Sequence, residues 1–97
     1  MPACRIRIAG RVQGIGYRAW VVKTATKLGL KGWVRNLTDG TVEILASGDQ
    51  EALALLAEQC RRGHMLAKVT DLAVTPDDPA EVTEPDFHAA PTVAPPA

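Results

Sequence analysis

A glycine-rich segment between the first predicted strand and the first predicted helix constrains this chain more than any other feature. It runs from Gly10 to Arg18 and reads Gly-Arg-Val-Gln-Gly-Ile-Gly-Tyr-Arg. Before it, Cys4, Ile6 and Ile8 alternate with polar residues, as in a strand with one buried face. Glycine allows positive φ and lets a ligand approach the backbone closely. The segment therefore predicts a tight junction between strand and helix.

The helix predicted from Tyr17 to Leu28 lacks the usual features of a helix start. No Ser, Thr, Asp or Asn precedes it to accept hydrogen bonds from its free N–H groups, and it contains no acidic residue. Arg18 also places a cation where the helix dipole disfavours one by ~0.3–1 kcal/mol. A bound anion would satisfy the N–H groups and reverse that cost. Two interpretations stay open: an anion site, and an ordinary turn with a solvated arginine.

Composition limits the classes of protein to which the chain can belong. Its 97 residues, 46% of them hydrophobic, are typical of one small globular domain. The longest apolar run, residues 52–57, is too short for a membrane span, and no leader precedes the first strand, so we expect a cytoplasmic protein. The cysteines and histidines lack the close spacing of a zinc site, and neither a metal nor a cofactor is expected.

The charged residues are unevenly divided although the net charge is zero. Residues 1–50 hold eight Lys and Arg against three Asp and Glu, and residues 51–97 hold three against eight. The basic half contains the glycine-rich segment, so its field steers small anions there unless basic and acidic elements interleave in the fold. No cationic cluster or RNA-recognition strand pattern is present, and nucleic acid is not an expected partner.

The predicted elements follow the order β-α-β-β-α-β. The Thr-Asp-Gly at 38–40 predicts a tight hairpin between strands at 31–37 and 41–46. Ser47 and Gln50 resemble a capping box at the start of the second helix. A shift in the apolar positions of the next strand predicts a one-residue bulge. This order indicates an α+β ferredoxin-like βαββαβ sandwich, an antiparallel sheet with two helices on one face.

The C-terminal part differs in composition from the rest. From Pro76 the chain is acidic and contains prolines, and Phe87 is the large apolar residue left to anchor a final edge strand. The segment that follows, Ala-Ala-Pro-Thr-Val-Ala-Pro-Pro-Ala, offers little to bury. The expected organisation is a folded domain over residues 1–88 and a disordered tail over residues 89–97.

Two segments together resemble the signatures of the acylphosphatase family. The first is the glycine-rich segment from Gly10 to Arg18, and the second, residues 32–42, reads Gly-Trp-Val-Arg-Asn-Leu-Thr-Asp-Gly-Thr-Val. The resemblance extends from the first strand to about Val74, whereas the end of the chain departs from the family's last strand. It implies hydrolysis of an acyl phosphate, a small-molecule mixed anhydride, to a carboxylate and phosphate by a small monomer.

The resemblance also implies roles for particular residues. Arg18 corresponds to the phosphate-binding arginine, and Asn36 to the residue that positions the attacking water. A guanidinium and N–H groups stabilise charge on a transferring phosphoryl group, and a neutral amide orients water without repelling an anion. The backbone amides of the cradle belong to the substrate-binding residues Val12, Gln13, Gly14, Ile15, Gly16 and Tyr17.

Several residues have a second interpretation. Asn36 is also typical of a turn residue that satisfies its own hairpin, and Tyr17 of a core residue. Arg35 is expected to be a solvated charge on the opposite face. Gln13 is expected to contribute its backbone N–H group rather than its side chain. For the whole chain, the alternative is a non-catalytic module that binds phosphate or acyl phosphate. A regulatory or RNA-binding domain would need a ligand-binding edge or stacking aromatics that the sequence lacks.

Overall fold

The elements follow the predicted order, and a short fifth strand is added at the end. The computed structural model describes residues 1–95. No helix in this part of the chain is long and apolar enough to cross a membrane. The elements are β1 Ala3–Arg11, α1 Tyr17–Lys27, β2 Lys31–Asn36, β3 Val42–Ser47, α2 Gln50–Arg62, β4 Lys68–Asp77, a 3-10 turn at Pro79–Glu81, and β5 Phe87–Ala89.

The five strands form one sheet in the order β4-β1-β3-β2-β5. The first four are antiparallel to their neighbours. β5 lies parallel to β2, with Gly32 opposite Phe87 and Val34 opposite Ala89. The ferredoxin-like α+β fold is therefore confirmed, but the sheet is mixed rather than wholly antiparallel. After β4, at one edge of the sheet, the chain crosses to the opposite edge and forms β5 there, in the same direction as β2.

Both helices pack on the same face of the sheet. The alternating residues of β1, Ile6 and Ile8, are fully buried there, together with Ile44 of β3. Val21 of α1 and Leu56 of α2 belong to the same apolar cluster and are also fully buried. Each such side chain contributes about 1.5–3 kcal/mol through its removal from water. The alternation in β1 thus determines which face of the sheet the helices cover.

The predicted bulge is confirmed, and the predicted cap of α2 is wrong. Ala9 pairs with Asp71 but Gly10 pairs with Val69, so Thr70 is the extra residue in β4. The N-cap of α2 is Asp49, and Ser47 is the last residue of β3. The Ser-x-x-Gln spacing is a weak signal here, because pairing with β1 and β2 keeps residue 47 in the strand.

The chain continues along β2 beyond the predicted domain boundary. Ala89 belongs to β5, the Ala90 N–H donates to the Val34 carbonyl at 2.8 Å, and the Val93 N–H donates to the Asn36 carbonyl at 3.3 Å. These are backbone bonds to an edge strand and need no apolar side chains, so composition did not reveal them. The division after residue 88 falls within β5, and residues 96–97 of the predicted tail lie outside the described residues.

The outer face of the sheet carries a buried carboxylate surrounded by arginines. Glu43 is fully buried; its Oε2 lies 3.0 Å from Arg5 Nη1 and its Oε1 lies 2.7 Å from Arg35 Nη2. Arg7 lies farther from the same carboxylate, at 3.9 Å. The Arg35 guanidinium also stacks on the Trp33 ring, 4.2 Å from its centroid. Arg35 is therefore on the predicted face, but it is paired rather than simply solvated.

We expect Glu43→Gln to lower the free energy of unfolding by about 1–3 kcal/mol, because removing one partner leaves the arginines without their shared counter-ion. Urea denaturation measures the change. The control is Glu58→Gln, which removes an exposed carboxylate paired with Arg62 on α2 and should cost at most about 0.5 kcal/mol. Equal losses in the two variants would contradict a special role for the buried carboxylate.

Candidate active site

A cleft of about 290 Å³ opens at the start of α1, between the glycine-rich loop and the end of β2. It brings Arg18 and Asn36 together, although they lie on different elements and are distant in sequence. Among the other predicted site residues, Gln13 and Ile15 do not line it. The lining residues are Val12, Gly14, Gly16, Tyr17, Arg18, Ala19, Asn36 and Ala89.

The backbone of the loop leaves its donors free. Gly14 and Gly16 have φ values of 75° and 82°, a region that other residues rarely adopt. Gly16 is the N-cap of α1, and no side chain caps the helix. Within residues 1–95, none of the N–H groups at positions 13–19 donates to a protein acceptor, and the first such bond runs from Trp20 to the Gly16 carbonyl at 3.1 Å. Consecutive free donors at a helix start are suited to an anion.

Arg18 adds a full positive charge to this helix start. Its side chain is half-buried and makes no hydrogen bond or ion pair with the rest of the described chain. No residue that lines the cleft is acidic. The arginines of the outer face differ in this respect, because Arg5 and Arg35 are paired with carboxylates. The cleft therefore combines a positively charged guanidinium with the positive end of the α1 helix dipole.

Asn36 faces the cleft from the last position of β2. It pairs directly with Val42, which is buried on the helix-covered face, and opposite residues in an antiparallel pair share a face. Its Oδ1 is buried and has no hydrogen-bond partner among the described residues. An unpaired buried amide oxygen costs about 1–3 kcal/mol, so this side chain is not there to stabilise the fold.

The hairpin turn is satisfied by a different residue. Asp39 Oδ1 accepts hydrogen bonds from the Thr41 N–H at 3.0 Å and from the Thr41 hydroxyl at 2.6 Å. These bonds lower the pKa of Asp39 below its usual value, with a smaller contribution from Arg7. The interpretation of Asn36 as a residue that satisfies its own turn therefore has no support in the contacts.

The side chain of Gln13 connects the two halves of the site. Its Nε2 donates to the Leu37 carbonyl and to the Thr41 carbonyl, both at 2.9 Å. Leu37 directly follows Asn36, so the glycine-rich loop is attached to the strand that carries the amide. The sequence predicts only a backbone role for Gln13, and the structure adds this role for its side chain. Its side-chain partners are carbonyl groups, which every residue has, and no residue type marks them in the sequence.

Tyr17 anchors α1 to α2 while its ring borders the cleft. The ring is buried, and its hydroxyl donates to the Cys60 carbonyl at 2.9 Å. Burial raises the pKa of Tyr17 strongly and raises the pKa of the Cys60 thiol to about 12. Both groups stay protonated at neutral pH, so neither supplies a base. The two interpretations of Tyr17, core residue and cleft wall, thus both apply to it.

Two features complete the chemistry of the site. Within the described residues, no group of three or more His, Cys, Asp or Glu side chains is arranged to hold a metal ion. Ala89, which belongs to the predicted disordered tail, lines the cleft beside the predicted residues. Only the pairing of β5 with β2 brings it there, and a single alanine gives no sequence signal of such a position.

Comparison with known proteins gives consistent results. A family model described as acylphosphatase matches residues 4–89. An acylphosphatase from Rhodospirillum rubrum is 46% identical over 93 residues, which cover 96% of this chain and 100% of the relative. The crystal structure of acylphosphatase from Bacillus subtilis has a TM-score of 0.87 and 42% identity, and the match covers 93% of this chain and 99% of that one.

A larger protein contains a similar domain. The crystal structure of T. kodakarensis HypF matches with a TM-score of 0.79 and 27% identity, over 93% of this chain but 12% of HypF. The relative from Rhodospirillum rubrum, in contrast, is matched over its whole length. On the family model and on this level of identity, the chain belongs to the acylphosphatase family.

Proposed function

We propose that this protein hydrolyses acyl phosphates to a carboxylate and inorganic phosphate, as its family membership indicates. The observation that carries the proposal at the level of residues is one cleft with three features that lack partners among residues 1–95: backbone N–H groups, a guanidinium and a carboxamide oxygen. No observation favours the alternative of a non-catalytic binding module.

The phosphoryl group of the substrate binds at the start of α1. The N–H groups of the loop and the first turn donate to its oxygens, and Arg18 contacts two of them with its planar fork. These donors are held before substrate arrives, because Gly14 and Gly16 allow the positive φ of the loop and the Gln13 side chain attaches it to the turn between β2 and β3. Charge that develops on the oxygens in the transition state is stabilised without reorganisation of the protein.

The carboxamide of Asn36 positions the attacking water. The carboxamide, which faces the cleft, forms a hydrogen bond to the water, and because the group is neutral it does not repel the dianionic substrate. The water oxygen forms a bond to phosphorus as the bond between phosphorus and the acyl oxygen breaks. A substrate RC(O)OPO₃²⁻ and H₂O thereby yield RCOO⁻ and H₂PO₄⁻. The leaving carboxylate is stable as an anion near pH 7, so no side chain has to donate a proton to it.

The proposed function also has consequences for the oligomeric state, the partner and the location of the protein. We propose that the glycine-rich loop is the phosphate-binding loop of the enzyme, and that the protein acts as a monomer. Its partner is the small-molecule substrate rather than nucleic acid, since the outer-face arginines are engaged with carboxylates. We also propose a cytoplasmic location and activity without a metal.

Arg18→Gln should lower kcat/KM for benzoyl phosphate about 100- to 1,000-fold, because one preorganised donor and its charge are lost. Arg18→Lys should lose less, since the charge remains but the fork does not. The assay contains a chelator, which also tests independence from metal. Lys23→Gln removes an exposed cation from the same helix and should behave as wild type. A similar loss in the Lys23 variant would assign the effect to overall charge.

Asn36→Ala should lower kcat about 100-fold or more with little change in KM, because the water loses its partner while the phosphate keeps its donors. Steady-state kinetics with benzoyl phosphate separates the two parameters. The matched control is Gln59→Ala, which removes an exposed carboxamide on α2. Wild-type kcat in a folded Asn36→Ala variant would rule out the proposed role.

Gln13→Ala should lower kcat/KM by up to about 100-fold although the side chain does not line the cleft, because the loop is no longer held against the turn between β2 and β3. Steady-state kinetics gives the loss, and urea denaturation gives the accompanying change in stability. Undiminished activity in a destabilised variant would show that these hydrogen bonds support the fold alone.

A further inference from the structure

The apolar part of the cleft is left over once the phosphate and the water have been assigned their partners. Val12 and Tyr17 are each 1% exposed, so little of their surface is available to a ligand. Ala19 and Ala89 are exposed and come from different elements, the first turn of α1 and β5. Their methyl groups are therefore the accessible apolar surface of the cleft, and neither can ionise or donate a hydrogen bond.

The position of Ala89 is fixed by the strand that carries Asn36. Hydrogen bonds join β5 to β2 on both sides of it, from the Gly32 N–H to the Asp86 carbonyl at 3.0 Å and from the Ala90 N–H to the Val34 carbonyl at 2.8 Å. Phe87, two residues earlier, is buried in the core, so Ala89 shares its helix-covered face. A larger side chain at position 89 would extend into the cleft.

We propose that Ala19 and Ala89 form the subsite for the acyl group of the substrate, and that Ala89 limits the size of the acyl group that the cleft admits. This inference rests on the proposed function. The cleft volume of about 290 Å³ is at the lower end of the range for small-molecule sites, so a few added methyl or methylene groups take up a substantial part of it. The subsite suits an uncharged, apolar acyl group.

The test compares a large and a small substrate, benzoyl phosphate and acetyl phosphate. Ala89→Leu should lower the ratio of their kcat/KM values about tenfold or more, because the added carbons occupy space that the benzoyl ring needs. Ala89→Val, which suits a strand, should shift the ratio in the same direction by less. The control is Ala73→Leu, the same substitution at an exposed position of β4 opposite Arg7 on the outer face, and it should leave the ratio unchanged.

Each outcome decides the matter. An unchanged ratio in both Ala89 variants, or an equal fall for both substrates, overturns the proposal, and urea denaturation shows whether the variants are folded. If wild-type protein hydrolyses neither substrate, the proposed function fails but the subsite is still tested by titration calorimetry. In that case the ratio of the Kd for benzoyl phosphate to the Kd for inorganic phosphate should rise about tenfold in Ala89→Leu, and a constant ratio overturns the subsite.

Discussion

The free backbone N–H groups before and within the first turn of α1 are the constraint on which the site depends. A loop that is to offer its donors to a ligand cannot use them to hold itself in place. Its conformation depends instead on Gly14 and Gly16, which adopt positive φ without the strain that other residues would incur, and on hydrogen bonds from neighbouring side chains. Gln13 attaches the loop to the β2–β3 hairpin, and the Tyr17 hydroxyl attaches the helix start to α2. The donors are thus preorganised although no protein group in the described chain accepts from them.

The two faces of the sheet separate the charges in a similar way. Asn36 and Arg35 are adjacent in β2, and the pleat places the amide in the cleft and the guanidinium over Glu43 on the outer face. Arg5 and Arg7 of β1 approach the same carboxylate. Three of the eight cations in residues 1–50 are therefore paired with carboxylates on the outer face, and one of these carboxylates, Asp77, comes from the acidic half of the chain. Among the described residues, Arg18 is the cation that lines the cleft, so the attraction for an anion there comes from this guanidinium and the start of α1.

The parts of the structure that depend on local sequence were predictable. Alternation identified the buried face of β1, the Asp-Gly turn set the register of the hairpin and so the direction of Asn36, and the absent cap marked the start of α1 as unusual. The features that the sequence did not predict are contacts between segments that are distant in the chain. The side chain of Gln13 bonds to carbonyl groups, and Ala89 reaches the cleft through backbone pairing at the sheet edge. Neither partner is marked by residue type. The prediction of a helix cap at Ser47 was wrong because pairing with β1 keeps this residue in β3 and outweighs a short motif.

The unmade hydrogen bonds also connect stability with function. A buried polar atom without a partner costs about 1–3 kcal/mol, and the Oδ1 of Asn36 is such an atom. A small domain has a total stability of only about 5–15 kcal/mol, so a cost of this size is kept only where it serves something other than folding. In the proposed reaction, the phosphoryl group would accept hydrogen bonds from the N–H groups that lack a partner in the described chain, and its binding would stabilise the folded state. Internal partners for these groups would make the fold more stable and would remove the donors and the carboxamide on which the proposed reaction depends.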